Sequence, residues 1–293
     1  MLVITAPTGQ IGRQVLEKVL EGDRPIRVIA RDPGKLPAHV RERVEVVQGT
    51  HSDPAVVNEA FAGADTVFWL VPPNVRAESV DGYILDFTRP ACEAIRSQGV
   101  KRVVGISTLG RGVAKNAGQV SAALAMDELI ESTGVAYRAL RLPGFMENML
   151  LQAGAIKHRG MFFMTISPDH KLPTCATRDI ATVAARLLLD DSWTGQAGVP
   201  VLGPEDLSPN DMAQIMSEVL DRPIRFQQVP SEGYLASLTQ NGISPAWAQG
   251  LVDMATEVEE RDIYRVEPRT PEASTPTTFR QWCEEVLKPA VLS

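Results

Sequence analysis

The feature that most constrains the fold stands at the start of the chain. A short apolar run, Leu2 to Thr5, passes directly into Thr5-Ala6-Pro7-Thr8-Gly9-Gln10-Ile11-Gly12, and Ile11, Val15, Leu16, Val19 and Leu20 then recur at helical spacing. Gly22 and Pro25 stop that helix, and Ile26 to Ala30 is a second apolar run. Strand, glycine turn, helix and strand make one complete βαβ unit. Two strands joined in this way lie parallel, and parallel strands need both faces covered.

The alternation continues, with further strands expected at Val44 to Gln48, Thr66 to Val71, Arg102 to Ser107 and Tyr137 to Leu142. The fold class is α/β: a Rossmann-type doubly wound parallel sheet. After Leu142 the rhythm changes, and the sheet is expected to end there. The rest of the chain reads as a smaller α+β part. It has a long helix near Arg178 to Leu189, an N-cap at Ser208 before Pro209, a late strand from Arg222 to Pro230, and helices near Glu232 to Leu238 and Pro245 to Val258. A charged, Pro-bearing loop from Glu259 to Pro276 leads to a last helix near Phe279 to Leu287. The expected division is residues 1–145 and 146–293, interleaved rather than separated by a linker.

Composition narrows the function. The 293 residues hold 44% hydrophobic and 22% charged side chains, enough to bury a sizeable core. Lys and Arg total 29 against 36 acids, a net charge of −7, the wrong sign for attraction to nucleic acid or to an anionic membrane. Neither is expected as a partner. The three cysteines, Cys92, Cys175 and Cys283, form no CxxC pair, which points to a reducing, cytoplasmic setting. No apolar run approaches the roughly 20 residues that span a bilayer, and the N-terminus has no basic leader, so no processing is expected. The four histidines make no HExxH or short-spaced pair, and no metal is expected.

The glycine turn is the strongest chemical signal. Between a strand and a helix it brings backbone N–H groups of Thr8, Gly9, Gln10, Ile11 and Gly12, and the helix dipole, up to a pyrophosphate. The bland alternative is an ordinary connection, and Ala6 and Pro7 remove one glycine and one donor from the pattern. The second strand ends in Ala30-Arg31-Asp32-Pro33-Gly34-Lys35. An NAD-selective site would put an acid first; here Arg31 arrives first and Lys35 comes after it, which favours a ribose 2′-phosphate and hence NADP(H) over NAD(H). The competing reading is a solvated Arg31-Asp32 pair.

These motifs, taken in order, resemble the NmrA-like branch of the atypical short-chain dehydrogenases/reductases, related to NAD(P)H-dependent quinone reductases. The resemblance rests on Thr-Gly-Gln-Ile-Gly at 8–12, Ala-Arg-Asp-Pro-Gly-Lys at 30–35, Val-Lys-Arg-Val-Val-Gly-Ile-Ser-Thr-Leu-Gly at 100–110, Arg-Leu-Pro-Gly-Phe-Met-Glu-Asn at 141–148 and Thr-Pro-Thr-Thr-Phe-Arg-Gln-Trp at 275–282. It implies that a nicotinamide lies between Ser107 and Pro143-Gly144-Phe145, and that Val71-Pro72-Pro73 lines the ribose and pyrophosphate path. Val71-Pro72-Pro73 also reads simply as a rigid strand exit. Relatives carry a Gly-Asp-Leu-like turn near the adenine; this chain has Gly49-Thr50-His51-Ser52-Asp53, where Thr50 or His51 substitutes or is merely a polar loop.

The superfamily's acid, a Tyr followed four places later by Lys, is missing. The four tyrosines, 83, 137, 234 and 264, are followed by Phe87, Arg141, Leu238 and Pro268. By alignment the two places fall on Ala123 and Asp127, neither suited to the role. Ser107, Thr108 and Asn148 are the remaining candidates for touching substrate, with turn hydroxyls as the plain reading of the first two. Phe145, Met146, Met149, Leu150, Leu151 and Met161 to Met164 read either as an apolar wall for a flat substrate or as core. The expected function is NADPH-dependent hydride transfer to a small conjugated electrophile such as a quinone or enone, whose product anion takes its proton from water. The alternative is a non-catalytic, NAD(P)-sensing regulator of the NmrA type with a protein partner. A homodimer is compatible with either.

Overall fold

A computed structural model describes all 293 residues. The first half alternates as expected: β1 (Leu2–Ile4), α1 (Gln10–Val19), β2 (Ile26–Ala30), α2 (Ala38–Arg41), β3 (Glu45–Gln48), α3 (Pro54–Phe61), β4 (Thr66–Trp69), α4 (Val80–Gln98), β5 (Arg102–Thr108), α5 (Gln119–Glu131) and β6 (Ala136–Leu142). The second half contributes β7 (Gly144–Phe145), α6 (Ala153–Arg159), β8 (Met161–Met164), β9 (Leu172–Cys175), α7 (Thr177–Leu189), β10 (Gln196–Pro200), β11 (Asp206–Leu207), α8 (Pro209–Leu220) and β12 (Arg225–Gln228). The chain closes with α9 (Ser231–Gln240), α10 (Pro245–Arg261), α11 (Phe279–Trp282) and α12 (Lys288–Leu292).

Seven parallel strands form the main sheet in the order β3-β2-β1-β4-β5-β6-β10. The strand order reverses between β1 and β4, the place where open α/β sheets bind their ligands. β1 lies inside the sheet next to the central β4, with Leu2, Val3 and Ile4 wholly buried. One face packs Ile11, Val15, Leu16 and Val19 of α1 with Ile180, Ala184 and Leu188 of α7. The other packs Phe61, Ala91, Ile95, Met126 and Ile130 from α3, α4 and α5.

The expectation that the sheet ends at Leu142 is corrected. α7 lies beside α1, and β10 pairs in parallel with β6 from Gln196 against Tyr137 to Pro200 against Arg141. The seventh strand reads Gln-Ala-Gly-Val-Pro, with none of the β-branched run that marks a strand. As an edge strand it tolerates Pro200, and Gly198 is there because a Cβ would sit 2.0 Å from Arg141 Nε.

The remaining C-terminal residues build a separate core of Met146, Met149, Phe162, Met212, Met216, Phe279 and Trp282 under the strips β7-β9-β11 and β8-β12. Ser208 caps α8 with the full reciprocal capping box, its hydroxyl accepting from Asp211 N while Asp211 accepts from Ser208 N. No helix is long and apolar enough to cross a membrane.

Candidate active site

The strand-to-helix turn is tight enough to dictate its residues. Ala6 holds φ at 49°, the left-handed region that glycine enters freely and alanine does not. Its carbonyl accepts from Gly9 N at 3.0 Å, and a Cβ on Gly12 would lie 2.1 Å from the same oxygen. Gly12 is therefore obligatory for seating α1 on the turn. No side chain caps α1 at Gly9, and the N–H groups of Gln10, Ile11 and Gly12 donate to nothing in the protein. By contrast, Asp53 caps α3 and Ser79 caps α4. Free donors and the positive end of a helix dipole are what an anion needs.

Pro7, Thr8, Gly9, Gln10, Arg13, Lys35 and Pro37 line a cleft of about 450 Å³. Arg13, not singled out from the sequence, had a legible signal. A cation in the first turn of a helix opposes the dipole, so its presence there points to an anionic ligand. Arg24, Arg27 and His39 have carboxylate partners, whereas Arg13, Arg31 and Lys35 have none. The Asp32 carboxylate accepts from Gly34 N at 3.0 Å, and no ion pair joins it to the exposed Arg31 guanidinium.

His51 is no loop-surface residue. It is 7% exposed, lies edge-on to Phe87 and Trp69 at 4.7 and 5.4 Å, and its Nε2 is 2.8 Å from the Leu70 carbonyl. Nε2 therefore carries the proton, and Nδ1 keeps a lone pair. Burial lowers its pKa from 6.5 to about 4, opposed by the Leu70 hydrogen bond and aided by Arg31, so the imidazole is neutral near pH 7. Thr50 Oγ1 is 2.9 Å from Ser52 Oγ, and Asp53 is spent on capping α3. Val71 and Pro72 are half-buried and Pro73 exposed beyond β4, with Pro72 held by the Tyr83 hydroxyl at 2.9 Å.

At the other end of the crevice, Ser107 and Thr108 close β5 and are 6% and 8% exposed. Pro143 is buried, and Gly144 and Phe145 pair as β7 with β9 beside them. Ser107 Oγ donates to Asp127 Oδ2 at 2.5 Å, and Tyr137 OH donates to Asp127 Oδ1 at 2.6 Å. Tyr137 reaches that far because Gly105 has no side chain: a Cβ there would lie 2.3 Å from the phenol oxygen. Asp127 and Tyr137, from α5 and β6, were not foreseen as partners. Their signal was only the pairing of a glycine and a tyrosine on neighbouring strands.

The apolar wall expected from Phe145 to Met164 divides. Met146, Met149 and Phe162 belong to the small core, Phe145 leans on the main sheet, and Leu151 is 88% exposed. Asn148 is exposed, and its side chain makes no hydrogen bond within the protein.

Comparison with known proteins agrees with this architecture. The model of a family described as NmrA-like matches residues 1–282. An NAD(P)H azoreductase of Xenophilus azovorans is 28% identical over 267 residues, covering 87% of this chain and 86% of its own. The crystal structure of an NADPH-dependent quinone oxidoreductase from Escherichia coli, in complex with NADPH, superposes with a TM-score of 0.80 at 21% identity, covering 96% and 98% of the two chains. The Citrobacter sp. triphenylmethane reductase complexed with NADP(H) gives 0.79 at 18% identity, over 99% and 100%.

Proposed function

The chain belongs to the NmrA-like family, and on that premise we propose that it is an NADPH-dependent oxidoreductase acting on a small conjugated electrophile, a quinone or enone, without a Tyr-Lys pair. The observation that carries this reading is the uncapped start of α1, whose unpaired N–H groups adjoin a cleft holding Arg13 and Lys35. Thr8 to Gly12 would hold the pyrophosphate. Arg31 and Lys35 would hold the 2′-phosphate, giving NADP(H) preference over NAD(H), and Thr50 with the neutral His51 Nδ1 would face the adenine. Val71, Pro72 and Pro73 would line the path to the nicotinamide, bounded by Ser107, Pro143, Gly144 and Phe145. Bound there, the reduced dinucleotide supplies a hydride.

The chain's own task is to hold the acceptor against that donor and keep water out. Residues 1–145 would carry the nucleotide and 146–293 the acceptor side, with Asn148 as the polar contact. The names of the azoreductase and the quinone oxidoreductase describe reduction of conjugated acceptors, which supports the substrate class. Three buried free cysteines suit a reducing compartment such as the cytoplasm.

The test is a calorimetric titration with NADPH, NADP+, NADH and NAD+ under one set of conditions, and then a panel of quinones and enones read by loss of nicotinamide absorbance. Tight NADPH binding with turnover is expected. Binding of the oxidised nucleotides alone would replace this reading with the sensor.

A further inference from the structure

Asp127 is the most deeply buried acid of the chain, 1% exposed, and no cation touches it. The nearest, Arg111, is held in two hydrogen bonds of 2.6 Å by Glu131. The carboxyl lives on two hydroxyl donors, Ser107 and Tyr137. Structural acids in this protein are used differently: Asp179, also buried, accepts from Thr277 N and Oγ1 and pins the C-terminal segment. Asp127 pins nothing of that kind.

Its outlet matters more than its burial. Ser107 closes β5, two strands from β1, which at about 4.8 Å per strand puts it about 10 Å across the sheet from the phosphate turn. It lies on the side away from Arg31, where the reactive end of a dinucleotide seated on α1 would reach. Ala123, one turn before Asp127 on α5, is half-exposed and carries only a methyl group.

Resting on the reductase reading above, we propose that Ser107 and Asp127 form a proton relay that serves the acceptor, in place of the missing Tyr-Lys pair. The reduced nucleotide would supply a hydride to the β-carbon of an enone, and the electron pair of the C=C bond would move to the carbonyl oxygen. With Asp127 protonated, the Ser107 hydroxyl turns to accept from the carboxyl and donate to that oxygen; Ser107 Oγ–H then protonates it, while the Asp127 carboxyl proton passes to Ser107 Oγ. The Asp127 carboxylate left behind accepts from Ser107 and Tyr137 and takes a new proton from water as product leaves. One hydride and one proton are consumed per carbonyl compound reduced.

The groups facing Asp127 set when it can deliver. Burial is the largest influence and raises its pKa from 3.8 to about 6; the Ser107 and Tyr137 hydrogen bonds and Arg111 oppose this, and Glu131 adds to it. Tyr137 also feels the Cys92 thiol of α4, itself pushed up to about 11 by burial and so uncharged. A carboxyl of this kind holds its proton in weakly acid solution and yields it near neutrality.

The experiment has two parts. In the nucleotide-free protein, infrared titration should find a protonated carboxyl band that disappears near pH 6, is absent in Asp127→Asn and changes frequency in Ser107→Ala. With NADPH and an enone, the wild-type rate should fall about tenfold per pH unit above pH 6. Asp127→Asn should be at least about tenfold slower at pH 5.5 and lose that limb, with NADPH affinity unchanged. Asn keeps one accepting position and puts a donor at the other, which a rotated hydroxyl can accept, so the fold should hold. Tyr137→Phe removes a donor to the carboxylate and should move the limb to higher pH. A wild-type enzyme that reduces enones while Asp127→Asn keeps the same limb overturns the relay and leaves the reductase reading intact. An Asp127 already ionised at pH 5 also overturns it. A wild-type protein that reduces no quinone or enone overturns the reductase reading and the relay together.

Discussion

The two ends of the crevice are built on opposite principles. At the start of α1 the protein leaves polar groups unpaired: the N–H donors of the exposed Gln10 and the buried Ile11 and Gly12, with the exposed Arg13, Arg31 and Lys35 lacking carboxylates. At the end of β5 Ser107, Tyr137 and Asp127 are paired and hidden, and a carboxyl is buried without a cation. Unpaired cations at a surface cost little because water satisfies them, and they, like the spare N–H groups of the turn, are free to meet a ligand. A buried acid is costly unless it can stay neutral. The first arrangement binds; the second stores a proton.

The comparison breaks most completely at Gly12. Gly12→Val would drive a side chain into the Ala6 carbonyl, 2.1 Å from the added Cβ. Overpacking of this severity is expected to cost about 3 kcal/mol and to abolish binding of every nicotinamide nucleotide. Thermal melting and calorimetry read the two effects. Unchanged NADPH affinity in a folded Gly12→Val protein would remove the turn from the site. Gly9→Val is milder in stability, since its Cβ would lie 3.3 Å from the same oxygen, but it should equally block the phosphate approach.

Acidification separates the two ends by sign. His51 has a folded pKa depressed from 6.5 to about 4, so the stability it allows is complete above pH 6.5 and is lost as pH falls through 4, by at most about 3 kcal/mol. Asp127 has a folded pKa raised from 3.8 to about 6, so its contribution is complete below pH 3.8 and lost as pH rises through 6. Asp127→Asn should therefore raise stability at pH 7, by up to about 3 kcal/mol, while slowing turnover. His51→Gln should flatten the acid side instead. Denaturant melts from pH 4 to 8 decide both, and a destabilised Asp127→Asn at pH 7 would mean that the carboxylate is well solvated after all.

Arg31 sharpens the contrast at the exposed end alone. Arg31→Ala should weaken NADPH by about 10- to 100-fold, the worth of charge-assisted hydrogen bonds to a phosphate, and leave NADH nearly unchanged. Equal losses for both nucleotides would remove Arg31 from the 2′-phosphate. Asp32, turned to Gly34 N, should contribute little to either.

The binding end was legible in the sequence because it is contiguous. Strand, turn and helix within Leu2 to Leu20 carry their own periodicity, and Ile26 to Ala30 was readable to the residue. The proton-storing end was not, because Ser107, Asp127 and Tyr137 come from three elements and meet only when β5, β6 and α5 pack. Asp127 taken alone looks like a failed lysine. β10 escaped for a different reason: an edge strand of Gln-Ala-Gly-Val-Pro has no apolar alternation, and its place is set by β6 and by the Arg141 side chain over Gly198. The Met-rich stretch was ambiguous at source, since a core and a substrate wall call for the same side chains.

Ala6 gives the smallest effect. At φ 49° it is one of only four residues other than glycine with positive φ, and the others, Asn116, Asp221 and Asp262, are of the types that tolerate it. Alanine there costs about 1 kcal/mol of strain, but glycine would return about half of that as chain entropy lost on folding. Ala6→Gly should thus stabilise the fold by only about 0.5 kcal/mol. Its effect on NADPH should be smaller still, because the turn is already held in the binding geometry by the Gly9 N to Ala6 O bond. A large gain in affinity would mean that the alanine turn must rearrange before phosphate enters, and that the exposed end, like the buried one, is costly to keep in its working form.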